Sequence, residues 1–194
     1  DFMHTIRFFL LTTKEDDRIL EKRVRMLWHI HNQTVKYAQK QLHKLMRDRA
    51  YIDAKKEYGA LKPEVEKLQK RLDEAEAQKK RAKRGERARM KAMNKRLGEL
   101  ADIMNERIEF FCLTKTGLES YVKVMQYRFR KHISSQQAQK EADRVYAGVQ
   151  KVLYGNGKFV HLKKLNDQRS ISQKSSVNGI KIDMDANTVN WLGL

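Results

Sequence analysis

From Leu20 to Leu45 the positions Leu20, Val24, Leu27, His31, Val35, Ala38, Leu42 and Leu45 recur at spacings of three and four. That period gathers one face of an α-helix, so the chain is committed to a long amphipathic helix whose stripe other segments must cover. Its start is marked as well. Thr13 offers a hydroxyl to the first free N–H groups, and Lys14-Glu15-Asp16-Asp17 places acids where the helix dipole favours them. The pattern predicts a helix running to about Arg49. Ahead of it, Ile6 to Thr13 is rich in Phe, Leu, Ile and Thr, which suits a strand buried on at least one face.

A second helix is expected to open near Pro63, where Pro is tolerated in a first turn and Glu64 and Glu66 suit the dipole. Leu61, Val65, Leu68, Leu72 and Ala75 keep a four-three spacing, which Met90, Met93, Leu97, Leu100 and Met104 resume beyond Gly85. This predicts an antiparallel helical hairpin over about 62–112, turning near Arg84-Gly85-Glu86. One long helix through Gly85 is the alternative, because Gly costs only about 1 kcal/mol inside a helix. Thr116-Gly117-Leu118-Glu119 opens another helix, and Ser134-Ser135 caps the next, with Ala138, Ala142, Val145, Val149 and Val152 on its apolar face.

Tyr154-Gly155-Asn156-Gly157 is turn chemistry and ends the helical region. Strand candidates follow at Lys158 to Leu162, Arg169 to Gln173, Gly179 to Met184 and Thr188 to Leu192, with turns at Asn178-Gly179 and Asp185-Ala186-Asn187. An isolated first strand would leave its backbone groups unpaired. The expected fold is therefore α+β: a small β-barrel or sheet built from residues 1–13 and 156–194, interrupted by a helical insertion over 14–155.

The 194 residues, 40% of them apolar, are enough to bury a core in one or two domains. A net charge of +18 is self-repelling without an anionic partner, and nucleic acid is the commonest inside cells. The lone cysteine, Cys112, excludes an internal disulfide and a Cys-based zinc site. Within Phe110-Phe111-Cys112-Leu113 it reads as a buried thiol of a reducing compartment. No apolar run approaches the ~18 residues of a membrane span, so a soluble intracellular protein with no membrane partner is expected. Asp1-Phe2 precedes Met3, and the chain stops in strand-like sequence at Asn190-Trp191-Leu192-Gly193-Leu194, so further parts of a parent protein are expected beyond it.

Half of the excess charge lies in residues 79–96, which hold ten basic residues and one acid. A solvated coiled-coil surface usually mixes signs, as Glu64 to Glu76 does. Lys79, Lys80, Arg81, Lys83, Arg84, Arg87 and Arg89 are thus candidate phosphate contacts, suited to positioning a backbone rather than reading bases. A second cluster, Tyr127-Arg128-Phe129-Arg130-Lys131-His132, nominates Arg128, Arg130 and Lys131. It is either the end of an apolar face with cations opposite, or the aromatic-basic alternation of single-strand and heteroduplex binders. A third joins Lys163, Lys164 and Arg169 to Ser170 through Ser172.

No metal-spaced cysteine set, H-E-x-x-H pair or Walker loop occurs. His29 and His31 are two apart and cannot share a helical face, and His31 reads as a satisfied interface residue. The acids fall mostly on helix surfaces. No catalytic residue, metal ligand or cofactor is assigned within this segment.

The order of a strand, a helix containing Trp28-His29-Ile30-His31-Asn32-Gln33-Thr34-Val35-Lys36-Tyr37, a helical insertion, a Gly117-Leu118-Glu119-Ser120-Tyr121 helix, then Lys158-Phe159-Val160-His161-Leu162-Lys163 and Ser170-Ile171-Ser172, resembles the N-terminal half of TnpB-like transposon nucleases and compact type V CRISPR effectors. Val160 and Leu162 depart from the Pro-and-Phe pattern usual in that family. The resemblance implies a wedge-type β-barrel with an inserted helical recognition lobe, which grips guide RNA and the guide–target heteroduplex by backbone shape and helps read a short flanking DNA motif. By position it implies that Asn32, Lys36, Tyr37 and Gln39 face the flanking duplex of the target DNA, and Lys163, Lys164, Arg169 and Ser172 the guide RNA. It also implies a prokaryotic cytoplasmic protein whose RuvC-like nuclease domain, with its Mg²⁺, begins after Leu194. Two other classes stand beside it: a basic coiled-coil RNA-binding or ribosome-associated protein without a guide, and an interaction module whose hairpin pairs with itself as a homodimer.

Overall fold

Thr13 caps the first helix, α1 (Lys14–Leu45), as its sequence foretells. The Asp16 N–H donates to Thr13 Oγ1 at 3.2 Å, and the Thr13 N–H donates back to Asp16 Oδ2 at 2.8 Å. Two free donors are thereby satisfied reciprocally. The computed structural model describes residues 11–78, 85–155, 157–168, 170–174 and 179–192. In it α1 is followed by α2 (Arg49–Ala77), α3 (Glu86–Phe110), α4 (Lys115–Arg128), α5 (Ser135–Tyr154) and an antiparallel pair, β1 (Ile180–Asp183) with β2 (Thr188–Trp191). The chain is mostly helical, an α+β fold with a small sheet.

By its internal packing the chain divides into two units, one of Asp1–Gln39 with Lys115–Leu194 and one of Lys40–Thr114. The second unit is a helical hairpin. Asp48 accepts the Tyr51 N–H at 3.0 Å and restarts the helix at once, so α1 stops short of Arg49 and α2 starts well before Pro63. Pro63 and Gly59, whose carbonyl its ring displaces, are both exposed, so water can take over the lost hydrogen bond. Val65 and Leu68 of α2 bury against Met90 of α3, flanked by Leu61, Leu72, Met93 and Leu97. The ion pairs Asp48–Arg107, Glu57–Arg96 and Glu64–Arg89 climb α2 while descending α3, which sets the antiparallel register. Gly85, at φ 89°, opens α3 in the left-handed region that a glycine enters without strain.

Cys112 corrects an expectation: its thiol is exposed. The end of α3 closes as a Schellman turn, with the Leu113 N–H bonded to the Ile108 carbonyl and the Cys112 N–H to that of Glu109. Cys112 occupies the left-handed position of that turn, at φ 54°, and turns its side chain outward. Leu113, one residue on, takes the buried place.

In the first unit α4 and α5 pack together. Ser134 caps α5 with a complete capping box to Gln137. Leu27, Ile30, Leu118, Val122, Ile133, Val145 and Val149 are fully buried. The expected strand over Lys158 to Leu162 does not form, nor do residues 170–173 form their part of the one expected from Arg169 to Gln173, Arg169 itself lying outside the described residues. The reason lies in α1: Trp28 Nε1 and Asn32 Nδ2 donate to the Lys163 carbonyl, Asn32 Oδ1 accepts the Lys163 N–H, and Gln39 Nε2 donates to the Val160 carbonyl. Helix side chains thus supply partners that a neighbouring strand would have provided. Val160 in turn lies against Gly148 of α5, where a Cβ would sit 3.0 Å from a valine methyl.

The two expected C-terminal strands do form, pairing Ile180 with Trp191 through Asp183 with Thr188. The Gln173 amide bonds both the N–H and the carbonyl of Ile180, each at 2.7 Å, in the manner of a third strand. Arg23 holds β2 at the same end of the sheet, donating to the Trp191 and Leu192 carbonyls while its guanidinium lies 4.6 Å over the Trp191 ring. Among the described residues the sheet has two strands and no barrel is formed. Of the expected first strand, residues 6–10 lie outside the described residues, and Leu11 to Thr13 carry no strand. No helix among the described residues is long and apolar enough to cross a membrane.

Candidate nucleic-acid interface

Arg18, Lys22, Arg25 and His29 follow one another along α1 at spacings of four, three and four, so they share one face. At 1.5 Å per residue the stripe is about 16 Å long. Together with Met26 and Phe129 they line a concavity, and among the described residues the single acid lining it is Glu21. Phe129 is brought there by a tight turn after α4, in which its carbonyl accepts the N–H groups of His132 and Ile133 and its own N–H donates to Gln126. Ile133 is pulled into the core, which leaves Arg128, Arg130 and Lys131 on the outside. The His29 and Phe129 rings meet edge to face at 6.2 Å.

The cations of this face are largely uncompensated. Lys22, Arg25, Arg128 and Lys131 make no ion pair among the described residues, and Arg18 has only an exposed contact to Glu15 at 3.5 Å. Such an exposed pair contributes little. Arg130 lies 4.4 Å over the Tyr127 ring. The His132 imidazole reports the local field: burial first, then the charges of Lys22, Arg23 and Lys131, hold its pKa below the ordinary histidine range. Positive groups from α1 and from the turn after α4 therefore converge on one region, an arrangement that attracts an anion.

The sequence-nominated residues divide by what already holds them. Asn32 is buried and spends both ends of its amide on Lys163, and Gln39 spends its amide donor on Val160. Tyr37 stacks on Tyr121 at 4.0 Å. Lys36 and Lys164 are exposed, and Ser172 accepts a hydrogen bond from Arg144 at 2.8 Å. In the hairpin Arg87 is exposed and Arg89 lies 3.5 Å from Glu64. Lys79, Lys80, Arg81, Lys83, Arg84 and Arg169 lie outside the described residues.

Lys163 belongs to a buried polar centre that the sequence did not announce. Glu141 of α5, only 1% exposed, takes His31 Nδ1 at 3.0 Å, Arg144, Gln168 Nε2 at 3.2 Å and Lys163 Nζ at 3.8 Å. Burial alone would raise the Glu141 pKa. The His31 hydrogen bond and then the charges of Arg144, Lys163 and His31 outweigh it, so the carboxyl lies below its ordinary value. The centre ties α1, α5 and the segment around Lys163 together. Its groups are consumed internally, which fits His31 as a satisfied interface residue.

Arg18, Lys22, Arg25 and His29 were not nominated from sequence. Their signal was present: the cations repeat with the same period as the apolar stripe of α1, rotated about the helix. Among the described residues no cluster of three or more His, Cys, Asp or Glu side chains is arranged to hold a metal ion. In comparisons with known proteins, no protein family, curated protein or solved structure matches this chain.

Proposed function

We propose that this chain is a non-catalytic nucleic-acid-binding segment that holds phosphate backbones on two basic surfaces, the cation stripe of α1 and the 79–96 end of the helical hairpin. The observation that carries the reading is the run Lys22, Arg25, Arg128 and Lys131 on one unit, all without an acidic partner among the described residues. Phosphates are the anions best suited to relieve such a surface. In its finer form the reading follows the resemblance described above. The chain would grip guide RNA and the guide–target heteroduplex and help read a short flanking DNA motif in an RNA-guided effector, with β1 and β2 belonging to a wedge-type barrel.

A salt titration of binding to labelled RNA and DNA tests the reading. Affinity should fall linearly on a log–log plot, and Lys22→Gln with Arg25→Gln should shallow the slope by about 0.7 to 0.9 for each phosphate contact removed. No binding at low salt, or an unchanged slope in the double variant, would overturn it. The self-contained hairpin core favours a second reading, a coiled-coil RNA-binding or ribosome-associated protein. Co-purified RNA of one discrete size supports the guided form; salt-sensitive binding to any duplex with no bound RNA supports the other.

A further inference from the structure

The concavity on the first unit holds more than charge. Its cations stand along α1, while an aromatic pair, His29 and Phe129, and the flexible Met26 share the same lining. A surface evolved only to hold a duplex backbone has no use for rings beside its cations, because stacked bases are not accessible there. Unpaired bases are, and any of the four can lie against an aromatic face. A stripe of about 16 Å matches on the order of five nucleotides at ~3.4 Å per stacked nucleotide.

From this juxtaposition we infer that the α1 concavity is a single-strand site, in which Arg18, Lys22 and Arg25 track successive phosphates and an unpaired base stacks on the His29–Phe129 pair. The inference rests on the nucleic-acid reading above and narrows it to the strand state of the ligand at this site. His29 is exposed and half-buried Phe129 reaches the concavity from the turn after α4, so the platform is built from two separate segments. Tyr127, exposed on the same turn, already carries Arg130 on its ring and is left out of the platform. Glu21 at the border sets a limit on crowding, since a phosphate placed beside it would be repelled.

The test uses the whole chain with three probes: a single-stranded oligonucleotide containing 2-aminopurine, the matching duplex, and the duplex with an unpaired tail. On binding, 2-aminopurine emission should be quenched in the single strand and in the tail. His29→Ala and Phe129→Leu should each remove the quenching and weaken single-strand binding about five- to a hundred-fold, with the salt slope and duplex affinity unchanged. Lys22→Gln should instead shallow the salt slope and leave the quenching in place. Should Phe129→Leu fail to fold, His29→Ala alone carries the test, because its side chain is exposed. Equal losses on duplex and single strand, or undiminished quenching in both variants, would overturn the inference. Failure of the wild-type chain to bind any of the three probes would overturn the nucleic-acid reading itself.

Discussion

Replacing Glu141 by glutamine should destabilise the first unit, although the exchange alters little more than one atom. The wild-type carboxylate is 1% exposed and faces His31, Arg144, Gln168 and Lys163. Glutamine keeps the volume and one acceptor but removes the charge, so the half-buried cations Arg144 and Lys163 lose their counter-ion. Removing one partner of a buried pair costs about 3–5 kcal/mol. With an acceptor retained, the lower end, about 3 kcal/mol, is the expectation for Glu141→Gln. At a urea dependence of about 2 kcal/mol per molar this is a midpoint shift of roughly 1.5 M.

Both tryptophans of the chain, Trp28 and Trp191, lie in the first unit, so their emission follows its unfolding. The pH dependence gives a second readout. Because the folded pKa of Glu141 is depressed, its stabilisation is complete above the unfolded value, about 4.3 for a free glutamate. It is lost as pH falls through the lower folded value. Wild type should therefore lose stability on acidification below about pH 4.3 in a way that Glu141→Gln does not. A midpoint shift under about 0.3 M, which corresponds to less than 1 kcal/mol at that dependence, or an identical acid limb in the two proteins would refute the reasoning.

Reversing the charges at Lys79, Lys80, Arg81, Lys83, Arg84, Arg87 and Arg89 should weaken nucleic-acid binding and flatten its salt dependence, with the helical circular-dichroism signal retained; an unchanged log K against log salt slope would remove the hairpin end from the interface. Leu68→Ala empties a position 6% exposed in the hairpin core and should cost about 2–4 kcal/mol, read from the helical melting curve. Gly85→Ala places a Cβ at φ 89°, where no neighbouring atom blocks it but the backbone itself is strained, and should cost about 1–2 kcal/mol by the same curve. Asn32→Ala removes both of its hydrogen bonds to Lys163 and should expose residues 158–164 to limited proteolysis ahead of the helices; equal cleavage rates in variant and wild type would show that the Asn32 amide does not hold the segment.

What could be read in the sequence is what short-range physics decides. Thr13 and Ser134 cap helices through bonds to residues three positions away. The ends of α5, the start of α3 at Gly85 and the β1–β2 hairpin likewise depend on neighbours along the chain. Pro63 misled because a proline that is tolerated in a first turn is also tolerated on the wet side of a helix interior, and Asp48 had already capped an earlier start. Cys112 sits among apolar neighbours that look like one run in sequence, whereas the Schellman turn sends successive residues to opposite sides.

The candidate interface shows the other limit. A lysine or arginine becomes available to a phosphate only when no acid of the fold has claimed it, and several claimants here lie far off in sequence: Asp48 is 59 residues from Arg107, and Glu119 is 55 from Lys174. Counting cations could find Lys163 but not that it stands beside Glu141, and could find Ser172 but not its bond to Arg144. The same accounting run in reverse singles out Lys22 and Arg25. They look ordinary in sequence, yet they stand on a helix face where the acid lining the same concavity, Glu21, forms no ion pair with either. The excess of +18 is thus not evenly available. Arg96, Arg107, Arg144 and Lys174 are paired within the fold with Glu57, Asp48, Glu141 and Glu119, and under the proposed reading the cations left over are where an external anion would lower the energy of the whole.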